Sequence, residues 1–198
     1  MAVRDTNLQQ LLNISQRIIA ASANYRAVMA GERIFESLAR PAGSRAAATV
    51  QRLPACDHPL AAALAGTSAQ HSPLPELGTA FGALEGGLHW YRRKNAEALG
   101  QPFIDGHANA VLIGPDGIEQ RDDVLVGATV MAPHIVYPDH DHPPEEVYIA
   151  MSPGEWWNAE MNWTEPGPGG IIYNPPGILH AMRSHTKPFL ALWFLPID

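Results

Sequence analysis

At 198 residues the chain is long enough for one domain with a full hydrophobic core, or for a barrel with a helical extension. A hydrophobic content of 46% excludes wholesale disorder, and a net charge of −7 with 13 Lys and Arg and no basic run argues against nucleic acid or an anionic membrane as partner. The single cysteine, Cys56, excludes an intrachain disulfide, and neither a secretory h-region nor an apolar membrane span is present in the sequence, so a cytoplasmic protein is expected.

From Leu8 to Leu38 apolar residues recur at helical spacing: Leu8, Leu11, Leu12, Ile18, Ile19, then Val28, Ile34, Phe35 and Leu38. Asp5 or Thr6 is the expected cap, Gly31 an interruption and Pro41 the stop. A second helix is expected after Pro59, in Leu-Ala-Ala-Ala-Leu-Ala-Gly, with Gly66 as its C-cap. His71 to Pro75 has turn composition. Thr79 to Ala98 suggests a further helix around Trp90 and Tyr91, against which Gly82, Gly86 and Gly87 argue. Arg92, Arg93 and Lys94 read as a solvated face of that helix.

After Gly100 the pattern changes to short β-like runs separated by Pro, Gly and Asp: Ala108–Ile113, Asp123–Met131, Glu146–Met151, Trp156–Trp163, Gly170–Tyr173 and Phe189–Leu195. Pro115-Asp116-Gly117 and Ser152-Pro153-Gly154 supply turns between them. Closely spaced strands with such turns indicate a sandwich or barrel rather than alternating βα units. The expected organisation is therefore a helical extension over residues 1–100, packed on a mainly β barrel over 101–198.

Within this half, Tyr137-Pro-Asp-His140-Asp-His142-Pro-Pro-Glu-Glu146-Val-Tyr148 carries a His-x-His-x3-Glu pattern, and imidazole with carboxylate suits a first-row divalent ion. On a straight strand His142 and Glu146 would stand about 13 Å apart. Pro143 and Pro144 oppose a regular ladder there, so a bend is expected to bring the histidines back. Beyond the bend Glu146, Tyr148 and Ala150 share one face of a strand. A further ligand, His180, follows the Pro175-Pro176-Gly177 turn. His107, His134 and His185 lack such spacing and read as structural or surface residues.

These two segments resemble both halves of the cupin signature, the first with Gly127 upstream and the second running from Gly169 through Pro175 and Gly177 to His180. Two departures are peripheral: Ser184 stands where an asparagine is frequent, and the first motif closes one residue late, at Gly154. The resemblance implies a small jelly-roll β-barrel with one divalent metal (Fe, Zn or Mn) held by His140, His142, Glu146 and His180.

The local text, including Ser-Pro-Gly-Glu-Trp and Asn-Pro-Pro-Gly-x-x-His-Ala-Met-Arg, is more specific. It looks like the cupin lyases of the DddQ type, which cleave dimethylsulfoniopropionate (DMSP). That resemblance covers about residues 100–198 and implies β-elimination of DMSP to acrylate and dimethyl sulfide. Tyr148 is the first choice of base and Tyr137 the second, and the resemblance also allows Tyr148 to replace His140 as a metal ligand. Aromatic faces attract a sulfonium cation, which makes Trp156, Trp163, Trp193 and Tyr173 candidates for the substrate cage. An oxygen-dependent Fe(II) dioxygenase and a non-catalytic binding barrel are the alternatives. The barrel is compatible with a homodimer.

Overall fold

A computed structural model of the chain describes residues 4–40, 49–71 and 73–197. Pro41, the expected helix stop, lies outside them. Helix α1 (Thr6–Ala20) is capped by the Asp5 carboxylate, which accepts from the Asn7 and Leu8 N–H groups. Helix α2 (Tyr25–Leu38) is capped by Asn24. The break expected at Gly31 falls instead at residues 21–24, where Asn24 opens a new helix. Gly31 lies inside α2 because the crossing with α1 leaves no room for a side chain: a Cβ there would meet Ile19 Cγ2 at 2.5 Å.

Helix α3 (His58–Thr67) continues past Gly66, which is therefore not its cap; Thr67 closes the last turn by donating to the Leu64 carbonyl. Helix α4 spans Leu74–Glu85 and stops at Gly86, so the helix expected to reach Ala98 ends earlier. Trp90–Tyr91 is a strand, β1, paired with β2 (His107–Ile113); a single turn of 3-10 helix (Ala96–Leu99) and the short helix α5 (Gln101–Gly106) intervene. The paired glycines end the helix, and the aromatic pair that follows suits a sheet edge.

Strand β3 (Val124–Met131), β4 (Val136–His140) and β5 (Glu146–Ala150) follow. The run expected as one strand from Trp156 to Trp163 is a hairpin of β6 (Glu155–Asn158) and β7 (Met161–Thr164), with the Asn158 side chain accepting from Glu160 N–H in the turn. Strands β8 (Ile171–Asn174), β9 (His180–Arg183) and β10 (Phe189–Pro196) complete the chain. Two antiparallel sheets result, β1-β2-β3-β10-β5-β8 and β4-β9-β6-β7. They form a small jelly-roll barrel of the cupin type, preceded by helices.

Strand alternation divides the larger sheet between two cores. Ala108, Ala110, Val126, Val130, Val147, Ile149, Leu190, Leu192 and Phe194 join the helices in one buried cluster. The intervening residues Tyr148, Ala150, Ala191, Trp193 and Leu195 face the barrel interior and pack with Tyr137, Trp156 and Met182 of the smaller sheet. Ser184 is buried at one end, accepting from Ile135 N–H and donating to the Ala132 carbonyl. Among the described residues no helix is long and apolar enough to cross a membrane.

Candidate functional site

The two histidine segments meet between the sheets. Glu146 begins β5 of the larger sheet, and His180 begins β9 of the smaller one. His142 lies in the proline bend before β5, and its carbonyl accepts from Gly177 N–H at 3.0 Å, which ties the first motif to the turn of the second. Gly177 has φ +67, a conformation that a glycine adopts without steric cost.

His142 Nε2 and His180 Nε2 lie 3.4 and 3.3 Å from the same oxygen, Glu146 Oε2. One donor atom from each of these residues lies within 4.8 Å of the others. Ligand atoms held at about 2.1 Å around one tetrahedral cation sit roughly 3.4 Å apart, close to these separations.

The hydrogen bonds behind the rings agree with this fit. Nδ1 of His140, His142 and His180 donates to the carbonyls of Pro138, Pro144 and Ile178 at 3.0, 2.9 and 2.9 Å. A carbonyl only accepts, so each Nδ1 carries a proton there, and Nε2 is the nitrogen left to face a metal ion. His180 Nε2 is buried with no hydrogen-bond partner, because Glu146 Oε2 lies close to it but off the hydrogen-bonding direction. The cluster is thus capable of holding a metal ion.

Electrostatics reinforce the arrangement. Burial opposes charge on Glu146, but the two histidines outweigh it and hold the carboxyl down at about 2. Burial also lowers His142, and Glu146 more than reverses this, leaving its pKa raised. His140 is pushed down to about 4 by burial and then by His180, so its ring is neutral at pH 7. Burial and the facing Glu146 carboxylate hold the Tyr148 phenol well above 10. A cation beside it is needed before that proton leaves near neutral pH.

A cavity of about 470 Å³ opens on these groups. Tyr137, His140, His142, Glu146, Tyr148 and Trp193 line it, whereas His180 lies beneath, 1% exposed. The remaining candidates lie apart from the wall. Trp156 is fully buried behind Tyr148, with ring centroids 6.0 Å apart. Trp163 lies on β7 beneath the Arg183 guanidinium, 4.2 Å from its centroid. Tyr173 donates to Glu145 and stacks under Arg26, and Arg33 of α2 also binds Glu145.

Several lining residues were not singled out by sequence. Arg93 and Lys94 border the cavity instead of forming a helix face. Here the chain has left β1 and enters a turn: Arg93 N–H donates to Nε2 of the buried His107, and the Arg93 guanidinium covers the Tyr137 ring at 5.1 Å. Asn109 and Thr129 face inward from β2 and β3. A polar side chain interrupting an otherwise apolar strand was the available signal for both.

A family model for dimethylsulfoniopropionate lyase matches residues 26–191. The chain belongs to the DMSP lyase family. It is 35% identical over 131 residues to the DMSP lyase DddQ of Ruegeria pomeroyi, an alignment covering 64% of this chain and 62%, under two thirds, of that relative. The crystal structure of DddQ from R. pomeroyi DSS-3 superposes with a TM-score of 0.73 and 25% identity, over 98% of this chain and 93% of that one. A chain from the crystal structures of the DMSP lyases RdDddP and RnDddQII gives 0.73 and 24%, over 96% and 92%. In this DMSP lyase family member the similarity of fold therefore includes the helical layer as well as the barrel.

Proposed function

We propose that this chain is a metal-dependent lyase that cleaves DMSP to acrylate and dimethyl sulfide. The observation that carries this reading is the Tyr148 phenol, on the same inward strand face as Glu146, at the wall of a cavity that opens on a three-residue cation site. Membership of the DMSP lyase family supports the choice of substrate.

Elimination requires a base for a proton on the carbon next to the carboxylate. The electron pair then forms the C=C bond, the C–S bond breaks, and its electrons leave with dimethyl sulfide. Tyr148 is the base in this reading, almost fully buried at the cavity wall beside Glu146. His142, Glu146 and His180 would hold one divalent ion, with His140 or Tyr148 completing the set. When bound, Fe, Zn or Mn supplies positive charge that acidifies both the substrate's C–H bond and the neighbouring phenol. The Trp193 indole offers an aromatic face for the sulfonium end.

The test is headspace detection of dimethyl sulfide from metal-loaded protein and DMSP, beside Tyr148→Phe and His180→Ala. Gas from the wild type and none from either variant is expected. Absence of gas after loading with each of the three metals would sink the assignment, and oxygen uptake in its place would point to a dioxygenase.

A further inference from the structure

Four cavity-lining side chains form one hydrogen-bonded file across the barrel interior. Trp193 Nε1 lies 3.2 Å from Thr129 Oγ1, Thr129 Oγ1 2.6 Å from Asn109 Oδ1, and Asn109 Nδ2 3.3 Å from the Tyr137 oxygen. Chemistry gives the file a direction. An indole N–H only donates, so the Thr129 oxygen accepts there and passes its own proton onward. The 2.6 Å step suits O–H···O and is shorter than N–H···O bonds, which run about 2.7–3.2 Å, so Thr129 meets the carbonyl end of the Asn109 amide. The amide NH2 then faces Tyr137 and donates to its oxygen. The Tyr137 proton must point elsewhere, and among the described residues no hydrogen bond to a protein acceptor takes it.

We propose that Asn109 and Thr129 are positioning residues that fix the Tyr137 hydroxyl as a hydrogen-bond donor toward an anionic oxygen of a bound carboxylate. Arg93 above the Tyr137 ring and Lys94 on the cavity wall make this end attractive to an anion. Tyr137 keeps its proton throughout; its bond strengthens as charge gathers on the carboxylate during removal of the neighbouring proton. The two tyrosines then divide the work, Tyr148 as base and Tyr137 as donor. The inference rests on the site acting on a carboxylate, and acrylate binding tests it separately from turnover.

The experiment compares wild type, Thr129→Val, Thr129→Ser and Asn109→Ser, each with matched metal content and thermal midpoint. The measurements are kcat and KM for DMSP, and calorimetric affinity for acrylate. Thr129→Val, which fills the same space without the hydroxyl, is expected to lower kcat about tenfold or more and weaken acrylate by a smaller factor. Thr129→Ser should recover most of both losses, and Asn109→Ser should resemble Thr129→Val. A Thr129→Val enzyme equal to wild type in kcat and acrylate affinity overturns the inference, as does a Thr129→Ser enzyme equally impaired. Wild type that binds acrylate without releasing dimethyl sulfide, with binding weakened in Thr129→Val, removes the lyase reading and leaves this one standing. Wild type that binds no acrylate removes it.

Discussion

Glu146 Oε2 and His180 Nε2 lie 3.3 Å apart although they belong to opposite sheets of the barrel. A cation shared between them would fasten one sheet to the other, so metal affinity would appear as folding stability. Saturation at a hundredfold excess over Kd adds about 2.7 kcal/mol. For a chain of this size that corresponds to a rise in Tm of roughly 5–10 °C. Differential scanning fluorimetry with and without Zn(II) or Mn(II), reversed by chelator, checks the effect. Glu146→Gln and His180→Ala should each abolish the rise.

Gly127 makes room for Trp193. A Cβ at this position would meet Trp193 Cη2 and Cζ2 at 2.1 Å and the Ala110 carbonyl at 2.4 Å, so the indole or the strand must shift. Gly127→Ala is expected to cost about 1–3 kcal/mol by overpacking and to displace the indole from the cavity. Urea denaturation and the KM for DMSP measure the two effects.

Two tryptophans, Trp193 lining the cavity and Trp163 on the edge strand β7, should separate cleanly. Trp193→Ala opens the cavity and removes an aromatic face, and a rise in KM of about tenfold is expected from the loss of a cation–π contact worth roughly 1–2 kcal/mol. Trp163→Ala removes only the ring under Arg183, and KM should stay within about twofold of wild type. An equal rise in both would place the sulfonium somewhere other than Trp193.

Acid should loosen the join between the barrel and helix α2. Arg121 holds the Asp123 carboxylate by a hydrogen bond and also donates to the Ser37 carbonyl at the end of α2. The hydrogen bond with Arg121, opposed by partial burial, lowers the Asp123 pKa from its ordinary 3.8. Because the folded-state value is the lower one, the stabilisation is complete above the unfolded pKa and drains away as pH falls through the folded value. Asp123→Asn should therefore lose stability at pH 6 and show a shallower decline below pH 4. Chemical denaturation across that range tests it.

Much of the barrel was legible because its information is local. Most of the expected strands match observed ones to within a residue or so, since a strand buried on both faces writes a continuous apolar run between turn residues. The cluster of His142, Glu146 and His180 was legible for a different reason: a proline bend and a Pro-Pro-Gly turn fix short segments whose spacing survives in the text. Partners distant in sequence were hidden. Nothing local tells Trp193, facing the cavity, from Trp163, on a hairpin whose turn at Ala159 and Glu160 carries neither Gly nor Pro. By sequence Arg93 and Lys94 read as a helix face because the segment around Trp90 and Tyr91 reads as helical. Only pairing with β2 brings that segment to the cavity.

The larger sheet is a wall with different tenants on its two sides. Along β10, Leu190, Leu192 and Phe194 serve the helical layer, while Ala191, Trp193 and Leu195 face the interior. Neighbouring residues therefore meet different physical demands. Inward positions can drift toward new substrates while the outward ones keep the chain folded, and a change that weakens one side can be offset from the other without touching the chemistry.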